Sequence, residues 1–205
     1  MSRRLIAVLR GLEPQRAVET AGEIIGAGIT WIEVPLNSPR PLESIGLMQA
    51  AFGDRARIGA GTVLSVADVD AVAATGASFI VSPNCNTAVI RRTRERGLGS
   101  YPGVFTASEC FAALEAGASA LKLFPAGVMG AGGLAALRAV LPADTEIFVV
   151  GGAGPEDFAA WKSAGADGFG LGSSLFKPGW DVARVAARAQ ACVEAYDAAW
   201  GILSA

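Results

Sequence analysis

Five glycines set the rhythm of this chain. Gly28, Gly76, Gly97, Gly117 and Gly165 each close an amphipathic stretch and stand two to four residues before an apolar run. Glycine is favoured just past a helix end because it takes the left-handed conformation without a Cβ clash. The separations are 48, 21, 20 and 48 residues, so each long gap holds two units, with Gly53 and Pro142 at the missing junctions. The apolar runs, at 5–10, 31–36, 56–63, 79–83, 99–104, 120–125, 146–152 and 168–175, make eight candidate strands. Between them lie stretches with helical spacing, such as PQRAVETAGEIIGAG, SVADVDAVAATG, NTAVIRRTRERG and TASECFAALEAG. Ser65 precedes one helix as a cap, and Pro14 and Pro155 stand near first helical positions. Eight such units predict an α/β fold, a (β/α)8 TIM barrel, as one domain over residues 1–205. A doubly wound open sheet is the rival; no GxGxxG follows the first strand, and eight units close naturally.

Two absences narrow the chemistry. The chain has no histidine, which removes His-based triads and the usual His-ligated zinc or iron sites, so no metal is expected. Lysine occurs only at 122, 162 and 177, so lysine chemistry must come from these positions. A net charge of −2 argues against a nucleic-acid or polybasic membrane surface. No apolar segment has the length of a membrane span. MSRRLIAVLRGLEP is cut by Arg10 and lacks a small-residue cleavage site, so no signal peptide is read. Cys85, Cys110 and Cys192 form no CxxC and leave one unpaired, which points to a reducing compartment, the cytoplasm.

Alternation along the strands isolates the polar residues that do not suit an apolar core. Around Lys122, the leucines Leu121 and Leu123 fit the helix-packed side, which turns Lys122 inward with Phe124. Glu33 shares a face with Trp31 and Pro35. Arg10 ends the first strand and Thr62 comes late in the third, so all four polar groups fall where barrel active sites are built. Burial would lower the Lys122 pKa and free its amine for attack on a ketone. The alternative is a lysine that snorkels to the mouth or pairs with Glu33 as a barrel-filling ion pair. Glu33 is either a general acid/base or that counter-ion. Lys162 reads as a solvated charge on a helix, and Lys177 as a loop or phosphate-rim cation. Gly151 and Gly152 after strand seven, with Gly172, Ser173 and Ser174 after strand eight, stand at the usual barrel phosphate site. The other reading is tight turns without a ligand.

These residues sit in linked motifs: IAVLRG (6–11), IEVPLNSP (32–39), IGAGTV (58–63), IVSPN (80–84), ALKLFPA (120–126), VVGGAGPE (149–156) and GLGSSLF (170–176). In that order, and through residues 4 to 200, they resemble the 2-keto-3-deoxy-6-phosphogluconate and -phosphogalactonate aldolases. The resemblance implies that Lys122 forms an imine and that Glu33 is the acid/base. It further implies that Arg10, Thr62, Pro83 and Phe124 contact substrate, and that Gly151, Gly152, Gly172 and Ser173 hold phosphate. It implies a homotrimer that needs no cofactor or metal and acts on a phosphorylated 2-keto-3-deoxy sugar acid. Gluconate-type members carry a TLR stretch after the glutamate's strand, where this chain reads PLNSP with Asn37. That resembles the phosphogalactonate branch, with the gluconate epimer, or both epimers, as the alternative. PAGVMGAGG (125–133) and YPGVF (101–105), read as loops near the mouth, depart from the family pattern. Two rivals remain at this point. A sugar-phosphate isomerase shares the phosphate site but not the buried lysine, and a non-catalytic binding protein would turn nothing over.

Overall fold

A computed structural model describes residues 3–202. Strands β1 (Leu5–Val8), β2 (Trp31–Pro35), β3 (Arg57–Gly61), β4 (Phe79–Val81), β5 (Gly99–Tyr101), β6 (Gly103–Val104), β7 (Leu121–Leu123), β8 (Ile147–Val150) and β9 (Gly168–Leu171) are joined in one sheet. The helices are α1 (Pro14–Gly26), α2 (Pro41–Phe52), α3 (Val66–Ala73), α4 (Thr87–Glu95), α5 (Ala107–Glu115), α6 (Ala126–Arg138), α7 (Phe158–Ser163) and α8 (Val182–Trp200). Every strand pairing is parallel, in the order β5-β4-β3-β2-β1-β9-β8-β7-β6. The ends of that order, β5 and β6, are one run interrupted at Pro102. Its first half bonds β4 and its second half bonds β7, and the Lys122 amide donates to the Pro102 carbonyl at 2.9 Å. The barrel therefore closes through a single broken strand. The nine segments are the eight expected strands of an α/β TIM barrel.

The punctuation behaves as its chemistry demands. All five rhythm-setting glycines have positive φ, from 73° at Gly97 to 102° at Gly28 and Gly165. Ser65 caps α3 by accepting from the Asp68 amide, while Asp68 returns the bond to the Ser65 amide. Pro14 opens α1 at its first position. Three details differ from the sequence reading. Gly53 ends α2 in an ordinary right-handed conformation. Pro155 lies in the turn before α7 rather than in its first turn. Residues 126–133 are not a loop but part of α6, which Gly130 (φ 74°, ψ 165°) breaks into two helical pieces; residues 101–104 follow the strand reading of 99–104 rather than the loop reading of 101–105, in β5 and β6.

Two apolar layers hold the barrel. Outside it, Leu5, Ile32, Val34, Ile58, Leu121, Leu123, Val149 and Phe169 pack under the helices. Inside, Ile6, Phe79, Val81, Tyr101, Ala120 and Phe148 form a separate buried cluster with Trp31 against it. Trp31, Phe79, Tyr101 and Phe148 stand within 5.6–5.9 Å of their ring neighbours, in edge, tilted and stacked pairs. Small residues opposite make this possible. A Cβ at Gly59 would come within 2.7 Å of the Phe79 ring, and one at Gly168 within 2.7 Å of the Phe148 ring. This aromatic layer is the floor on which the polar residues stand. No helix among the described residues is long and apolar enough to cross a membrane.

Candidate active site

Strand alternation carries the polar groups to the top of the floor. On β2, Trp31 lies in the floor and Glu33, two residues on, rises above it; Ile32 and Val34 point to the helices. On β7, Ala120 is in the floor and Lys122 is one step above, while Leu121 and Leu123 join the outer core. Together with Arg10, Thr62, Pro83, Phe124, Asn37, Gly151, Gly152, Gly172 and Ser173, these two line one cavity of about 550 Å³. The residues singled out in the sequence thus converge, from the ends of β1, β2, β3, β4, β7, β8 and β9. Arg10 and Thr62 lie just beyond their strands rather than in them. Thr62 has φ 58°, a left-handed conformation rare for a β-branched residue, and such strain gathers at functional sites.

The two central charges are buried side by side without closing on each other. Glu33 is 2% exposed and Lys122 7%. Among the described residues neither head group makes a hydrogen bond or a salt bridge, and Glu33 Oε2 is fully enclosed and unpartnered. The contact ion pair that would make Lys122 a mere barrel filler is therefore not formed. Lys122 Nζ instead lies 4.8 Å from the centre of the Phe124 ring. The Glu33 carboxylate occupies the space left by a glycine, because a Cβ at Gly61 would fall 1.6 Å from Oε2. Burial raises the Glu33 pKa above the ordinary carboxylate value, opposed by attraction to Lys122 and Arg10. Burial lowers the Lys122 pKa; Glu33 opposes this, and Arg10 adds to it by repulsion. At the rim Arg10 Nη1 donates to Asn37 Oδ1 at 2.5 Å, which ties the β1 loop to the β2 loop. The Gly11 amide adds a second tie to Ser38 Oγ at 2.9 Å.

Across the cavity, β8 and β9 end in two backbone turns. Gly151 and Gly152 have φ 82° and 101°, and a Cβ at Gly152 would meet Gly127 at 2.9 Å. Only glycine serves there, since α6 begins against it and the Gly127 amide donates to the Gly151 carbonyl. After β9, the Leu175 and Phe176 amides both donate to the Gly172 carbonyl at 2.9 Å, and Arg188 Nε on α8 donates to the Ser174 carbonyl at 2.7 Å. Ser174 Oγ is enclosed and has no partner, so this corner has a hydroxyl to offer an oxygen-rich ligand. Sequence reasoning placed Ser174 at this corner and left Phe176, Pro178 and Val150 out of the site. Val150 was legible by parity, two residues before Gly152 on the same face. Phe176 and Pro178 enter through the loop after β9, for which no periodicity speaks. Among the described residues no group of three or more His, Cys, Asp or Glu side chains lies together as a metal cradle.

A depressed lysine and an elevated carboxylate together cost stability at neutral pH. The contribution of a raised Glu33 pKa is fully present below the unfolded value of 4.5 and is lost as pH climbs through the folded one. That of a lowered Lys122 pKa is present above 10.5 and lost as pH falls through the folded one. The double variant Lys122→Met/Glu33→Gln should therefore unfold at higher urea than the unaltered protein at pH 7, by about 1–4 kcal/mol. A less stable double variant at pH 7 would contradict this account.

Comparison with known proteins shows the family. The family model described as "Aldolase: KDPG and KHG aldolase" matches residues 1–196. The 2-dehydro-3-deoxy-6-phosphogalactonate aldolase of Escherichia coli (strain K12) is 50% identical over 192 residues, which cover 94% of each chain. A solved structure described as native KDPGal superposes with a TM-score of 0.97 at 48% identity, covering 98% of each chain. The KDPG aldolase of Legionella pneumophila, solved with pyruvate captured as a covalent carbinolamine intermediate, superposes with a TM-score of 0.80 at 25% identity. That match covers 96% of this chain and 94% of the other. Matched along almost its whole length in sequence and in backbone, the chain belongs to the KDPG and KHG aldolase family, whose named relatives here are carbon–carbon lyases.

Proposed function

We propose that this protein cleaves 2-dehydro-3-deoxy-6-phospho-D-galactonate to pyruvate and D-glyceraldehyde 3-phosphate through a Schiff base on Lys122. One observation carries the reading: a buried lysine with a lowered pKa stands beside a buried carboxylate that does not close on it. In the proposed sequence the neutral Lys122 amine adds to the C2 ketone as a carbinolamine, which takes up a proton and loses water to give a protonated imine. Glu33 accepts the proton of the C4 hydroxyl, the C3–C4 bond breaks, and its electron pair flows towards the imine nitrogen to form an enamine. The aldehyde phosphate leaves, the Glu33 carboxylic acid returns its proton to C3, and water adds to the imine and releases pyruvate, a proton and the free amine. Arg10 and Thr62 orient the carboxylate end, Pro83 and Phe124 line the pyruvate pocket, and the amides of Gly151, Gly152, Gly172 and Ser173 hold the phosphate. The carbinolamine on the Legionella pneumophila relative supports the covalent route. Asn37 supports the galactonate epimer, as does the name of the Escherichia coli relative.

Borohydride added with pyruvate should fix an adduct on Lys122, located by peptide mass mapping, and none in Lys122→Met. Because burial lowers this amine's pKa, the rate of adduct formation should rise with pH and level off below the ordinary lysine value of 10.5. An adduct on Lys162 or Lys177 would sink the assignment. Pyruvate release from the two C4 epimers, assayed in parallel, should favour the galactonate compound. An equal or reversed preference would keep the aldolase and overturn the branch.

The same proposal places the enzyme in the cytoplasm, in galactonate breakdown, as a homotrimer. Cys85, Cys110 and Cys192 are free thiols, which suits a reducing compartment. Exposed Val128, Phe111 and Phe105 are apolar surface that an assembly would cover. Light scattering should give a mass of three 20.8 kDa chains; a monomer would refute the trimer.

A further inference from the structure

Lys177 has no task in this mechanism, yet it lines the same cavity. It belongs to the loop after β9, the one that begins with Gly172 and Ser173. The loop is anchored. Arg16 Nη2 donates to the Trp180 carbonyl at 2.6 Å, the Trp180 amide to the Lys177 carbonyl at 3.2 Å, and Pro178 lies against Gly11. Trp180 carries Arg184 over its ring, 4.1 Å from the centre, and the Lys177 ammonium at 5.6 Å. Among the described residues Lys177 makes no salt bridge and no side-chain hydrogen bond, so its charge is uncommitted.

The charge balance of the cavity shows where this ammonium matters. The cations that line it are Arg10, Lys122 and Lys177, and the one carboxylate is Glu33. Lys122 is consumed as an imine, and Arg10 is bonded to Asn37 on the β2 side. The corner made by β8 and β9 otherwise offers neutral amides and the hydroxyls of Ser173 and Ser174. A phosphate monoester carries about −1.5 to −2 charges at neutral pH.

We propose that Lys177 is the counter-charge for the substrate phosphate and sets the preference for phosphorylated over unphosphorylated 2-keto-3-deoxy acids. This rests on the aldolase reading. The test compares Lys177→Gln and Lys177→Arg with the unaltered protein in cleavage of the phosphorylated substrate, with inorganic phosphate as competitor. In Lys177→Gln, KM and the inhibition constant of phosphate should both rise, by about tenfold for loss of one charge-assisted contact, with kcat nearly unchanged. Lys177→Arg should restore both. A second readout needs no phosphate: exchange of the pyruvate methyl protons with deuterated water, which requires only the imine and its acid/base. That exchange should survive in Lys177→Gln. Unchanged KM and unchanged phosphate inhibition would overturn the proposal, as would loss of methyl exchange alongside cleavage. No exchange in the unaltered protein would instead overturn the aldolase reading beneath it.

Discussion

Two opposite charges are held in one apolar barrel without being allowed to neutralise each other by contact. Much of the surrounding sequence serves that arrangement. If Lys122 and Glu33 met as a salt bridge, the amine would be protonated and occupied, and the carboxylate would be no base. Separation keeps each pKa displaced by burial while the residual attraction limits the displacement. Gly61 provides the hollow for the carboxylate, Phe124 provides a ring face for the ammonium, and the strands fix both backbones.

That separation is possible because the barrel below is solid. Four aromatic rings fill it, and two of them need a glycine-sized gap on a neighbouring strand: Gly59 for Phe79, Gly168 for Phe148. Large and small residues alternate around the ring of strands, as dense packing requires. The strain at Thr62 and the left-handed turns at Gly151 and Gly152 sit above this floor, where rigid strands hold them.

The fold was legible because its information is local and repeated. Left-handed glycines past helix ends and alternating strands are short-range signals, and five of the first with eight of the second admit few closures. The inward face of Lys122 followed from the two leucines beside it. What escaped the sequence depends on three-dimensional meeting. Pro102 breaks a strand at the point where the sheet closes, which no residue near it announces. The glycine-rich stretch 126–133 looked like a loop because glycine disfavours helix, but packing of α6 on the Gly151–Gly152 turn overrides propensity there. The contrast between Glu33 and the ion pair it might have made is a matter of ångströms, and no sequence pattern encodes that.

The aromatic floor also governs traffic. It leaves the cavity blind at its lower end, so substrate, water and both products share one mouth. In a vessel with a single opening, position sets the order of departure. On the proposed mechanism, the fragment at the rim, near Gly172 and Lys177, would have to clear before the one attached to Lys122 against the floor could follow. On that proposal the barrel would give the reaction a queue as well as a chamber, and a late-arriving aldehyde would meet a three-carbon partner still fixed at the bottom of it.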